Sequence, residues 1–402
     1  MHSKTGGMST AKTLPTGAWI TEADCRLEDF RAQLDQRTDL ADYPHAVAVR
    51  AGVLVYSATA WAELSPTELN PTRRRDLQAE LIAALTDGPG VVVIEDAFDH
   101  AVVDAASAAF AELIAAQRAR GAEGGDHFGR PGANDRVWNA AQKLALHAPE
   151  VFADYYANDA LALVSQAWLG PRYQVTSQVN VVNPGGAAQV PHRDYHLGFV
   201  DPERLSEYPA HLHRMSAALT LQGAVAHCDM PLESGPTMLL PYSQRFAGGY
   251  VAFSRPEFVE YFAAHHVQTP LRKGDAVFFN PALYHGAGAN TSADIRRMAN
   301  LLQVSSPFGR AMESLDRSAM VRAVYPALRA MRAAGRPERQ IHNAVVATAE
   351  SYPFPTNLDA DPPVGSLAPP SQVDVVLAAL AADATPADLD AAVGTQDERR
   401  TP

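Results

Sequence analysis

At 402 residues, 47% hydrophobic and 19% charged, the chain is long and apolar enough to bury a sizeable core, as one large domain with extensions or as two. A formal charge of −12 disfavours nucleic acid and anionic membrane surfaces as main partners and favours an enzyme acting on a small molecule. Cys25 and Cys228 alone cannot build a disulfide framework or a cysteine-rich zinc site, no apolar run approaches the ~20 residues of a membrane helix, and residues 1–20 lack a signal-peptide core, so a cytoplasmic protein is expected.

Residues 1–18, rich in Gly, Ser, Thr and Lys, predict disorder within an N-terminal segment 1–20. Residues 21–87 read as an N-terminal elaboration, with apolar runs at Ala46–Val49 and Val53–Tyr56 and helical spacing of Leu77, Leu81, Ile82 and Leu85, stopped by Gly88-Pro-Gly90. Val91–Glu95 predicts a strand and His100–Arg120 a helix. The glycine-rich stretch Ala122–Asp135 is long enough to be either disordered or a lid over a site. Helical patterns return from Pro149 to Leu169.

From Arg172 the period becomes two: Tyr173, Val175, Ser177, Val179 and Val181 alternate with Gln174, Thr176, Gln178, Asn180 and Val182. The polar face either lines an enclosed site or faces solvent; pattern alone leaves both open. Strand-like runs follow at Met215–Ala224, Thr237–Leu240, Val267–Leu271, Ala276–Phe279 and Arg297–Val304, with a helix at Pro256–His265 capped by Ser254 and Glu257. This density of short strands predicts a closed β-sandwich or barrel. Helices are expected over about Met312–Ser351, within an extension spanning 311–359, and the Ala/Asp/Pro-rich tail 360–402 predicts one short helix with disordered ends.

His-x-Asp occurs twice, at His192-Arg-Asp194 and at His227-Cys-Asp229. Non-haem Fe(II) oxygenases bind iron through two histidines and one carboxylate and leave positions open for co-substrate and dioxygen. A distal histidine followed by an arginine that can grip a carboxylate therefore separates the two copies. His285 is followed by Arg296 eleven residues on, with Arg297 its neighbour on the opposite strand face. His196, His211 and His213 are expected to be exposed loop residues.

In order along the chain stand Gly90-Val-Val-Val-Ile94, Asn183-Pro-Gly-Gly186, His192-Arg-Asp194, Glu233-Ser-Gly-Pro-Thr-Met-Leu-Leu-Pro-Tyr-Ser243, Lys273-Gly-Asp-Ala-Val-Phe-Phe279, and His285 with Asn290-Thr-Ser292 and Arg296. With these segments the chain resembles the phytanoyl-CoA dioxygenase family of Fe(II)/2-oxoglutarate-dependent oxygenases over roughly residues 88–308. The resemblance implies a mainly β fold with flanking helices, whose double-stranded β-helix (jelly-roll, cupin-like) core occupies 88–310. It also implies Fe(II) as metal, 2-oxoglutarate and O2 as co-substrates, His192, Asp194 and His285 as metal ligands, and Arg296 as the anchor of the 2-oxoglutarate carboxylate.

Gln178 is a further candidate contact for the co-substrate, and Asn180, Tyr195, Phe199 and Trp138 are candidates for the substrate. Where relatives carry a hydroxyl residue two positions after the distal histidine this chain has Ala287, so a second contact to the carboxylate is unassigned. Related halogenases have a small residue at the position of Asp194, so the carboxylate here implies hydroxylation of an unactivated C–H bond, or a related two-electron oxidation such as desaturation, with release of succinate and CO2. A non-catalytic jelly-roll binding module, or a cupin-like metalloenzyme that does not use 2-oxoglutarate, are the alternatives. No residue selects among a secondary metabolite, an amino-acid derivative and an acyl compound as substrate.

Overall fold

The computed structural model describes residues 17–63, 71–120 and 133–401. The expected disorder of the first residues and the candidate lid up to residue 132 lie outside the described residues.

Among the described residues ten strands carry the core: β1 (Ala48–Arg50), β2 (Val53–Ser57), β3 (Val91–Glu95), β4 (Asn134–Val137), β5 (Gln174–Val182), β6 (Thr220–Ala226), β7 (Met238–Leu240), β8 (Ala276–Phe279), β9 (Tyr284–Gly286) and β10 (Arg297–Ser305). The major sheet has the order β1-β2-β3-β8-β6-β10-β5-β4, antiparallel except for the parallel β2–β3 pair. The minor sheet is the β7–β9 pair, widened by single bridges from His192 to His285 and from Val267 to Leu239. Two facing sheets of this kind make the expected jelly-roll core.

Side-chain alternation sorts the major sheet into two faces. On β2 and β3, Val53, Val55, Val91 and Val93 point inward and pack with Ala224, Val277 and Phe279 and with Leu239 and Leu283 of the minor-sheet side. Leu54, Tyr56, Val92 and Ile94 point outward into a helical layer.

That layer consists of α3 (Pro71–Thr86), α4 (His100–Ala119), α5 (Ala140–His147), α6 (Pro149–Tyr156), α7 (Asp159–Leu169), α11 (Arg317–Ala333), α12 (Glu338–Thr348), α13 (Gln372–Ala381) and α14 (Pro386–Arg400). The remaining helices are α1 (Leu27–Leu34), α2 (Ala58–Glu63), α8 (Ala210–Ala218), α9 (Gly249–Ala252) and α10 (Pro256–His265). Helices thus occupy more of the chain than strands do, and they cover the sheets from outside. Among the described residues, no helix is long and apolar enough to cross a membrane.

The N-terminal residues are built into this core. β1 and β2 extend the major sheet, α3 covers its outer face, and Phe30 of α1 packs against Phe246, Phe258 and Tyr284 behind the minor sheet.

Several expectations are corrected. The tail forms two helices, each opened by a capping box, Ser371 with Asp374 and Thr385 with Asp388, signals that its Ala/Asp/Pro composition masked. Residues Met215–Ala218 belong to α8 and the strand starts at Thr220. Val267–Leu271 forms only isolated bridges. Helix α10 has Arg255 at its N-cap with no side-chain cap, so Ser254 does not serve there.

Candidate active site

The segment carrying His192 and Asp194 runs along β9: His192 N donates to His285 O at 3.0 Å, and Asp194 N to Pro281 O at 3.1 Å. Strand alternation turns His192 and Asp194 inward and Arg193 outward. The pairing brings His285 alongside, so that one donor atom from each of His192, Asp194 and His285 lies within 4.8 Å of the others. His192 Nε2 is 3.8 Å from Asp194 Oδ1 and His285 Nε2 is 3.4 Å from Asp194 Oδ2.

Both imidazoles are oriented from behind. His192 Nδ1 is 3.1 Å from Val190 O and His285 Nδ1 is 2.8 Å from Leu283 O, so an Nδ1–H donates in each case and Nε2 faces the cluster with its lone pair. Burial and then the neighbouring His285 push His192 below its ordinary value, toward the neutral ligand form. Burial by itself would raise the Asp194 carboxyl, but His192, His285 and the Gln222 amide outweigh it and hold it below the usual carboxylate range. Gln222 Nε2 donates to Asp194 Oδ2 at 2.5 Å. Two imidazoles and one carboxylate are the donor set of a non-haem iron site.

These ligands open into a cavity of about 170 Å³ between the two sheets. Its walls include Gln178 and Asn180 of β5, Gln222 of β6, and Arg297, Ala299, Leu301 and Gln303 of β10. The polar face of β5 is therefore an inner face, and the solvent alternative is removed.

Arg296 does not reach the cavity. Its exposed side chain donates to Asn183 Oδ1 and to Asp135 Oδ2, both at 3.2 Å. Arg297 opens β10 opposite Val182, and alternation from that register sends residues 297, 299, 301 and 303 inward. Its Nη1 donates to Ser234 O at 3.1 Å and Gly288 O at 3.2 Å. Burial pushes its guanidinium down to about 10, still protonated at neutral pH, and among the described residues it pairs with no carboxylate. The arginine that lines the cavity is thus Arg297, one residue later than family spacing indicates.

The other candidates divide. Gln178, Asn180, Phe199 and Trp138 line the cavity, whereas Tyr195 does not: it is buried, and its hydroxyl turns to Met312 Sδ at 3.8 Å. Gln178 accepts from Arg136 Nη1 at 3.1 Å and lies 3.4 Å from Gln303 Oε1, while the Arg136 guanidinium sits 4.9 Å over the Trp138 ring. In the β5–β10 ladder Gln178 pairs with Leu301, four residues from Arg297 or roughly 13 Å along the strand, so it stands at the other end of the cavity from the arginine.

Arg136, Gln222, Gln303, Gln189 and Thr237 line the cavity without having been anticipated. For Gln222 and Gln303 the signal was strand parity; for the other three the sequence carried none.

The second His-x-Asp motif is a core feature. His227 is buried on the helical side, with Nδ1 2.8 Å from Ser107 Oγ and Nε2 2.9 Å from Tyr155 OH, and burial pushes it down to about 3. His213, expected in an exposed loop, is instead buried in α8, where Nε2–H donates to Leu205 O and Tyr208 O, each at 3.2 Å. His211 is exposed as expected, but on the same helix.

Residues 86–298 match the family described as phytanoyl-CoA dioxygenase, just over half of the chain. The protein belongs to the phytanoyl-CoA dioxygenase family. Its cofactors are accordingly Fe(II), 2-oxoglutarate and O2, and the His192–Asp194–His285 cluster has the donors that such a metal requires. A comparison with curated protein sequences gives no match.

Among solved structures, the chain is similar to SnoK, a non-haem α-ketoglutarate-dependent carbocyclase of nogalamycin biosynthesis (23% identity, 59% of this chain and 87% of that one, TM-score 0.44). It is also similar to SnoN, an epimerase of the same biosynthesis (19%, 59% and 82%, TM-score 0.39). A third is HygX from Streptomyces hygroscopicus, solved with nickel, 2-oxoglutarate and hygromycin B (16%, 57% and 88%, TM-score 0.43).

Proposed function

We propose that this family member is a hydroxylase, inserting oxygen into an unactivated C–H bond of a small organic substrate while 2-oxoglutarate is converted to succinate and CO2. The observation that carries the reading is one cavity with a His–Asp–His cluster in its wall and, on β10, a buried arginine without a carboxylate partner among the described residues.

In this reading His192, Asp194 and His285 hold the iron, their Nδ1 contacts keeping both imidazoles in the ligating tautomer. Arg297 holds the distal carboxylate of 2-oxoglutarate, its charge preserved by the carbonyls of Ser234 and Gly288. When bound, the metal and its co-substrates supply the oxidising chemistry. Gln178, with Arg136, Gln303 and Trp138, orients the substrate at the opposite end. Asn180 and Phe199 line its path, and the apolar wall of Val277, Phe279 and Leu301 limits access of water. Asp194 fills the position where a small residue would admit chloride, which favours hydroxylation over halogenation. A cytoplasmic setting belongs to the same proposal, since both cysteines are free.

The test is succinate release and product mass after incubation with Fe(II), 2-oxoglutarate and a panel of secondary metabolites, amino-acid derivatives and acyl compounds. The expected product is heavier by one oxygen atom. A product isomeric with its substrate, or poorer by two hydrogens, refutes hydroxylation; no 2-oxoglutarate turnover with or without any panel member refutes the oxygenase reading.

A further inference from the structure

Between the two ligands of the His-x-Asp segment stands Arg193, which points away from the cavity and is 2% exposed. Its guanidinium is held 5.1 Å from the ring centroids of both Tyr250 and Tyr284. Its Nη2 donates to Ser243 O at 2.5 Å and to Phe246 O at 3.1 Å. Among the described residues no carboxylate pairs with it and its Nε has no hydrogen-bond partner, so carbonyl dipoles and two aromatic faces meet its charge.

The surroundings leave this guanidinium one position. A Cβ on Gly249 would stand 1.8–2.2 Å from its three terminal atoms, and a Cβ on Gly198 would stand 2.0 Å from Arg193 O, so both glycines permit the close approach. Tyr250 also donates its hydroxyl to Asp194 O at 3.2 Å, and Tyr284 donates its hydroxyl to Gly249 O at 3.0 Å. From outside, Phe30 of the N-terminal segment packs on Tyr284 and Phe246, with ring centroids 5.1 and 5.2 Å away.

By contrast, the ligand segment itself has little regular pairing. His192 makes one isolated bridge to β9, and no strand contains residues 190–194. Beyond the backbone bonds of His192 to His285 and of Asp194 to Pro281, the positions of the two ligands therefore depend on what anchors the residue between them.

We propose that Arg193 is a positioning residue for the metal centre: the cage of Tyr250, Tyr284 and the Ser243 and Phe246 carbonyls anchors its guanidinium and so fixes the backbone from which His192 and Asp194 reach the metal. The N-terminal segment packs on that cage through Phe30. The inference rests on His192, Asp194 and His285 being the metal ligands.

The test is Co(II) binding to the purified full chain, read as Kd and as the visible spectrum of the bound ion, beside thermal unfolding of the metal-free protein. Removing a buried charge that lacks a carboxylate partner need not lower stability, so a purely structural role and a positioning role separate in these readouts. Arg193→Met is expected to weaken Co(II) binding by roughly tenfold or more and to alter the spectrum, while the metal-free protein still unfolds cooperatively. Arg193→Lys keeps the charge but not the planar fork and is expected to fall between Met and wild type. Wild-type Kd and spectrum in Arg193→Met overturn the proposal; should that variant not fold, the same result in Arg193→Lys does so. Asp194→Ala is the control for the underlying reading. If it binds Co(II) as tightly as wild type, the metal-site assignment fails and not merely the role of Arg193.

Discussion

Replacing Arg297 by alanine and, separately, Arg296 by alanine discriminates between two adjacent side chains that strand geometry sends to opposite faces. Arg297 is buried, and among the described residues its side chain makes hydrogen bonds only to the carbonyls of Ser234 and Gly288, so a 2-oxoglutarate carboxylate would be its sole anionic partner there. Truncating one member of a buried, hydrogen-bonded charge pair costs about 2–4 kcal/mol, or roughly 30- to 700-fold in Kd. Arg296 is 57% exposed, and its partner Asp135 keeps the two shorter bonds from Arg118 Nη2 at 2.7 Å. Its removal is worth at most ~1 kcal/mol of stability and nothing at the cavity.

The assay is equilibrium binding of 2-oxoglutarate to the metal-loaded protein under anaerobic conditions, with metal content measured in parallel. Arg297→Ala should lose co-substrate affinity by that factor while retaining metal, Arg297→Lys should lose less, and Arg296→Ala should bind as wild type. Unchanged affinity in Arg297→Ala, or a loss confined to Arg296→Ala, would refute the assignment by register.

Three further outcomes are expected. Gln222→Leu removes the amide that donates to Asp194 Oδ2 and should weaken metal binding about tenfold; an unchanged Kd for Co(II) would show that Asp194 is held without it. His227 is pushed by burial from 6.5 down to about 3, so below its unfolded value the unfolded chain takes up a proton that the folded chain refuses. Stability is therefore complete above pH 6.5 and falls with acidification toward pH 3, by about 2 kcal/mol between pH 7 and 5. Denaturant unfolding of wild type and His227→Gln at both pH values should show a smaller pH effect in the variant; equal effects would sink this account. Phe30→Ala empties a fully buried site among Phe246, Phe258 and Tyr284 and should cost about 3–5 kcal/mol in denaturant unfolding. A loss below ~1 kcal/mol would mean that the N-terminal segment is not integral to the core.

The metal cluster was legible because its identity lies in residue type and order. His192 and Asp194, two apart, share a face on any extended segment, and His285 was picked out by an arginine downstream. Periodicity likewise separated the two faces of β5, Gln178 and Asn180 sharing the polar parity of Gln174 and Thr176, whereas the structure decided that this face lies inside. Tyr195 was misread because standing next to Asp194 in the chain does not place it at the cavity: it shares the parity of Arg193, and its backbone leaves the extended conformation at φ 60°. His213 was misread because α8 has no side-chain cap to announce it.

By itself, then, the sequence determined the donor set, the family and the alternation of each strand, all of which depend on local order along the chain. Only the tertiary structure decided which of two neighbouring arginines enters the cavity. Parity is relative, and its absolute phase is set where β10 begins its ladder with β5, at Arg297 opposite Val182 after the turn held by Asn290. A one-residue shift in that connection exchanges every inward side chain for its neighbour. The same holds for the cage around Arg193, and for Phe30, which lies more than two hundred residues from its partners Phe246 and Tyr284 in the chain and meets them only when the N-terminal segment closes over the minor sheet.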